Sequence, residues 1–230
     1  MMQTKYLNTK EYNGSSGTTI YFMGPYGGRA LYFKPFFMAM TRRHYRIVYI
    51  QPRTSSVDSL NPKNLSATIY ELTEYVSDDM SHRKGDDFVI VGVSLGSYLG
   101  LNLLGVVPIY KYVAIAGGAP ILEVFKDARL FAKSRKKLRE VEGAEESLYL
   151  HWQPHDTNFK KRNLTGVKAV VFNSDGDRII TPSKRDLFLE QLSAAGVVVN
   201  TDSRGSISHT LQALKTNLLV DNIDAFIRSE

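Results

Sequence analysis

The chain has 230 residues, 43% apolar and 23% charged, with a formal net charge of +6. That length suits one domain of ordinary size with a core of its own. The absence of cysteine excludes disulfides and thiol catalysis. No window has the apolar length of a membrane span, and the N-terminus MMQTKYLNTKEYNGSSG lacks the apolar stretch of a signal peptide, so the expected location is the cytoplasm.

Strand-like and helix-like segments alternate from residue 18 onward. Thr18–Met23 is rich in β-formers and stops at Gly24-Pro25. Ala30–Met40 is helix-like and aromatic, interrupted by Pro35. Tyr45–Ile50 is a strand closed by Gln51-Pro52. Asn61-Pro62 has the order of an N-cap and a first-turn proline, opening a helix to about Asp79. Phe88–Val93 is a strand, followed by a helix over Leu95–Leu104. Tyr112–Ala116 is a strand ending in Gly117-Gly118, and Lys168–Phe172 is another, ending in Asn173-Ser174-Asp175-Gly176-Asp177. Pro182–Ala195 is a helix stopped by Gly196. Val197–Val199 is a last short strand, and one helix is expected from Ser208 to Ile227. Short continuous apolar strands alternating with helices predict an α/β fold: a doubly wound, mostly parallel sheet.

Residues 120–165 break the rhythm. They hold a charged helix and a loop over Leu150–Asp156, but no strand, as expected of a lid inserted between two sheet strands. The basic stretch Lys133–Arg139, with Lys160-Lys161-Arg162 beyond it, reads as a solvated face. Four glutamates follow it, and no aromatic residues interleave to stack bases, so no nucleic-acid partner is expected.

Gly92-Val93-Ser94-Leu95-Gly96 lies between a buried strand and a helix. Ligands of parallel sheets bind beyond the carboxyl ends of the strands. A sharp turn there forces the central residue into strained angles, and glycine on either side removes the steric conflict. Ser94 is lifted clear, with the Leu95 amide at a helix N-terminus. A nucleophilic serine needs a base. Of five histidines only His209 lies on a strand-to-helix loop. His44 and His82 fall on the opposite edge, and His151 and His155 belong to the insertion. Asp175-Gly176 reads as a turn pair, leaving Asp177 to face the histidine. The chain order is Ser94, Asp177, His209, the order of the α/β-hydrolase fold.

Over nearly its whole length the chain thus resembles the α/β-hydrolase superfamily. Gly92–Gly96 is similar to the nucleophile elbow, Ser174–Pro182 to the acid loop, and 120–165 to the cap insertion of a single 1–230 domain. Phe22–Gly28 resembles the oxyanion loop but has Gly24-Pro25 where the family often has His-Gly. Pro25 has no N–H, so the donor expected beside Leu95 is the amide of Tyr26. The family often has glycine before the histidine, where Ser208 stands here. The resemblance implies a serine hydrolase acting on a carboxylic ester or related small acyl compound through an acyl-enzyme, with no metal or organic cofactor. Thioester hydrolysis and acyl transfer use the same triad. A non-catalytic binding protein on the same scaffold, or an anion-binding role for the basic lid, are readings from other classes. Tyr149 and Trp152 are expected to line the pocket from the lid. His151 and His155 have helical metal-pair spacing, but Pro154 is expected to break that helix, so no metal site is expected.

Overall fold

The computed structural model describes residues 4–15, 17–118, 120–157, 162–203 and 205–229; Lys160 and Lys161 of the second basic cluster fall outside them. Seven strands form one sheet: β1 (Leu7–Tyr12), β2 (Thr18–Met23), β3 (Arg46–Pro52), β4 (Asp87–Val93), β5 (Lys111–Ile115), β6 (Lys168–Asn173) and β7 (Val198–Ser203). Their order is β1-β3-β2-β4-β5-β6-β7. Only β1 runs antiparallel, paired with β3 from Leu7 opposite Pro52 to Tyr12 opposite Ile47.

Both faces are covered, which is why the central strands are apolar throughout. Ile20 and Phe22 point into one core with Phe36, Phe37 and Met40 of α1 (Lys34–Arg42) and Ile223 and Ile227 of α9 (Val220–Arg228). Tyr21 and Met23 point into the other. There they meet Leu65 and Leu72 of α2 (Lys63–Ser81), Leu99 of α3 (Leu95–Leu103) and Phe188 of α7 (Pro182–Ala194).

Between β5 and β6 the chain builds α4 (Ile121–Asp127), α5 (Ala132–Arg139) and α6 (Ala144–Thr157). The expected loop at Leu150–Asp156 is instead part of α6, which runs through Pro154. An interior proline costs a helix about 3 kcal/mol. Here Leu148 and Trp152 are buried in the core, and Asp156 Oδ1 and Oδ2 accept the Ile121 and Leu122 N–H groups at 2.8 and 3.0 Å. These contacts outweigh the break.

Other expectations also need correction. Strand β1 precedes the expected start of the sheet: LNTKEY is polar, as suits an edge strand with one wet face. Strand β7 continues to Ser203, because pairing with β6 carries the polar residues Asn200–Ser203. The C-terminal helix is broken into α8 (His209–Leu214), a 3-10 turn at Lys215–Leu218, and α9. The break is held from outside: Asn217 accepts the Phe36 N–H and donates to the Tyr32 carbonyl. Asn61 does not cap α2; its side chain donates to Asp58 at 2.8 Å. No helix among the described residues is long and apolar enough to cross a membrane.

Candidate active site

Ser94 sits between β4 and α3 at φ 53°, ψ −116°, a region that costs an L-residue of order 1–3 kcal/mol. The flanking glycines make the turn sterically possible. A Cβ on Gly92 would lie 2.5 Å from Cα of Ser97, and one on Gly96 would fall closer still to the Met23 carbonyl of the neighbouring strand. The Ser94 N–H is tied across to Ile115 at 2.8 Å, which fixes the turn to β5.

His209 opens α8, beyond the carboxyl end of β7, and its Nε2 lies 2.8 Å from Ser94 Oγ. On its other side Nδ1 lies 2.7 Å from Asp177 Oδ2, and the Asp177 side chain is fully buried. Asp177 Oδ1 accepts the N–H groups of Ile179 and Ile180 at 2.8 and 2.9 Å. The carboxylate is therefore held from both ends. Its Oδ2 orients the imidazole with Nδ1 as donor, which leaves Nε2 as acceptor toward Ser94. Asp175 stands apart, paired on the surface with Arg185. Ser174 joins the acid and histidine loops: its Oγ accepts the Ile207 N–H and donates to the Gly205 carbonyl, both at 2.8 Å. Sequence reading missed this staple.

Tyr26 follows Gly24-Pro25 at the carboxyl end of β2. Its N–H makes no hydrogen bond within the described residues, and neither does that of Leu95, at the first position of α3. The loop is fixed by a residue that the sequence marked only as a strand end. Gln51 Nε2 donates to the Pro25 carbonyl at 2.7 Å, and Gly28 N–H donates to the same oxygen at 3.0 Å. Tyr49 donates its hydroxyl proton to Gln51 Oε1, which sets the amide the right way round.

Ser94 and His209 open into a cavity of about 500 Å³. Its wall is mostly apolar, with Val57, Ile121, Val124, Phe131 and Leu214 among the lining residues. Tyr98, one helical turn beyond Ser94, also lines it. Its hydroxyl is buried behind that wall, beside the Asp156 carboxylate. Burial, then the charge of Asp156, push the Tyr98 phenol up.

The insertion contributes to the cavity through α4 and Leu130–Phe131, not through the aromatic residues expected to line it. Trp152 is fully buried: its indole N–H donates to the Pro62 carbonyl at 3.2 Å, and its ring packs edge-on to Phe125. Tyr149 packs at the edge of the same core and is not part of the cavity wall. Residues on one face of α6 point into α2 and α4, so the helix turns its aromatic residues away from Ser94. His155 Nε2 is engaged with Ser66 Oγ of α2 at 2.8 Å, and burial holds the imidazole pKa below its usual value. No group of three metal-ligating side chains occurs among the described residues.

No protein-family model and no curated protein matches the sequence. Solved structures do match the fold. The chain is similar to a lipase-esterase related protein from Clostridium acetobutylicum, with 12% identity over 96% of this chain and 100% of that one and a TM-score of 0.63. It is similar to a thermophilic esterase from Thermogutta terrifontis, solved with butyrate bound, with 15% identity over 96% and 90% and a TM-score of 0.67. It is also similar to the alpha/beta hydrolase domain-containing protein 10 from mouse, with 13% identity over 99% and 96% and a TM-score of 0.63. The sheet order, the helices on both faces and these likenesses together give the chain the α/β-hydrolase fold.

Proposed function

We propose that the protein is a serine hydrolase that cleaves carboxylic esters through an acyl-enzyme. The observation that carries this reading is the relay Ser94–His209–Asp177, with steps of 2.8 and 2.7 Å, opening on an apolar cavity of about 500 Å³. His209 Nε2 takes the Ser94 hydroxyl proton as Oγ attacks the ester carbonyl. Asp177 stabilises the imidazolium that forms. The amides of Tyr26 and Leu95 hold the oxyanion, the second aided by the N-terminus of α3. Collapse of the tetrahedral species breaks the ester C–O bond, and His209 returns the proton to the leaving alcohol. Water then attacks the acyl-enzyme, giving its proton to His209, and the acid departs as Ser94 recovers its own. The apolar wall suits the acyl or alkyl part of an uncharged ester, and residues 120–165 act as the cap.

The test is labelling by a fluorophosphonate probe. Wild type is expected to label, Ser94→Ala not at all, and His209→Ala at a rate lower by several orders of magnitude. A folded wild type that fails to label, or labelling that survives Ser94→Ala, would remove the reading.

A further inference from the structure

Three segments each contribute lining residues to the cavity: 25–42 through residues up to Phe33, 121–139 through residues up to Phe131, and 205–219 through His209 to Leu214. Four of those lining residues are also exposed large hydrophobics, namely Tyr26, Tyr32, Leu130 and Leu214. Beside them Leu31 is 71% exposed and Leu218 74% exposed. The first and third segments are joined into one surface by Asn217, which bonds to Tyr32 and Phe36. Half of the exposed large hydrophobic side chains of the described residues thus lie on these three segments, four of them on the cavity wall itself. A concentration of exposed apolar side chains of this kind marks an interaction surface.

The same segments are strongly basic. They hold eleven lysines and arginines against two carboxylates, Glu123 and Asp127, a balance of +9 in a chain whose total is +6. Both carboxylates are already paired, with Lys126 and Lys184. Arg29, Lys34, Arg42 and Lys215 are exposed and form no ion pair among the described residues, nor do Lys133 and Lys136 on α5. The glutamates at 140–146 lie at the turn into α6 and its first residues, and α6 contributes nothing to the cavity wall.

The geometry points to a peripheral docking face for an anionic lipid bilayer, centred on the cavity mouth. Cations attract the acidic headgroups, while leucine and tyrosine side chains enter the headgroup–acyl boundary. A nucleic acid would use the charge but would leave Leu31 and Leu218 in water, so the exposed leucines favour lipid. That the bilayer delivers an amphipathic ester directly to Ser94 rests on the ester-hydrolase reading; the adsorption itself does not.

The experiment is cosedimentation of the full chain with vesicles of equimolar phosphatidylcholine and phosphatidylglycerol, and with phosphatidylcholine alone. Wild type and Ser94→Ala are expected to partition equally onto the anionic vesicles, less onto the neutral ones, and less as salt rises. The double variants Leu31→Ser/Leu218→Ser and Lys34→Gln/Lys215→Gln should each lower the partition coefficient by roughly tenfold or more. Their thermal midpoints and fluorophosphonate labelling should stay at wild-type levels, since none of the four side chains lines the cavity. Failure of a folded wild type to sediment with anionic vesicles overturns the proposal. So does sedimentation that neither double variant reduces, or a preference for duplex DNA over vesicles that survives loss of the leucines. Vesicle binding by a chain that never labels would refute the hydrolase reading and leave this one standing.

Discussion

The side-chain amide of Gln51 holds the carbonyl of Pro25, and through it the direction of the Tyr26 N–H. A trans peptide is planar, so its C=O and N–H point opposite ways. With the Pro25 oxygen drawn to Gln51 Nε2 at 2.7 Å and Gly28 N–H at 3.0 Å, the Tyr26 N–H is turned away from Gln51. Pro25 itself has no proton to give, so in the proposed mechanism the donor is the next amide, that of Tyr26. Gln51→Leu is expected to lower kcat by roughly tenfold to a hundredfold with KM little changed, because the donor is misaimed rather than removed. Affinity for a trifluoromethyl ketone should fall in parallel. A rise in KM at constant kcat would instead place Gln51 in substrate binding.

Asp177→Asn tests the tautomer logic. The oxygen of the introduced carboxamide would still be required by the N–H groups of Ile179 and Ile180, now bonded at 2.8 and 2.9 Å. Its NH₂ would then face His209 Nδ1 and force that nitrogen to accept. The imidazole proton would move to Nε2, facing Ser94, where a base is needed. Ester hydrolysis at neutral pH should fall on the order of 10⁴-fold in kcat, with the thermal midpoint nearly kept. A loss of less than tenfold would remove Asp177 from its assigned role.

Asp156 makes stability depend on pH against the usual trend for a carboxylate. Burial pushes its pKa up to about 6, although the Leu122 and Ile121 N–H groups and Tyr98 favour the charged form. The folded chain therefore takes up this proton more readily than the unfolded one. The resulting stability is fully present below the ordinary carboxylate range and is lost as pH rises through about 6. Compared with Asp156→Asn, wild type should gain up to about 3 kcal/mol as pH falls from about 7 to about 4. Urea unfolding of both chains across that range measures it, and a flat difference would contradict the assignment.

Trp152 is a structural residue of the insertion. Trp152→Ala should cost about 3–5 kcal/mol by cavity formation, and Trp152→Phe less, with loss of the bond to the Pro62 carbonyl. Denaturant unfolding gives both values. Because the indole is not part of the cavity wall, kcat per folded molecule in Trp152→Phe should match wild type.

Much of the frame is legible in the sequence because its signals are local. The run Val89-Ile90-Val91 says that a strand is covered on both faces, and Gly92 and Gly96 on either side of Ser94 announce a turn too tight for side chains. The alternation of strands and helices assigns Asp177 and His209 to the same sheet edge as Ser94. Edge strands carry weaker signals: β1 and the end of β7 are polar, and only pairing with β3 and β6 defines them. Pro154 predicts a broken helix by its own chemistry, and distant contacts overrule it.

The sequence alone therefore determined the order of the elements and the edge of the sheet where chemistry can occur, since steric and hydrophobic periodicity act within a few residues. Only the tertiary structure decided which side chains share a space. Gln51 reaches Pro25 across 26 positions, His209 reaches Ser94 across 115, and Trp152 turns into the core because its partners Pro62 and Phe125 lie there. Such meetings depend on how layers pack in three dimensions, and no pattern within one segment encodes them.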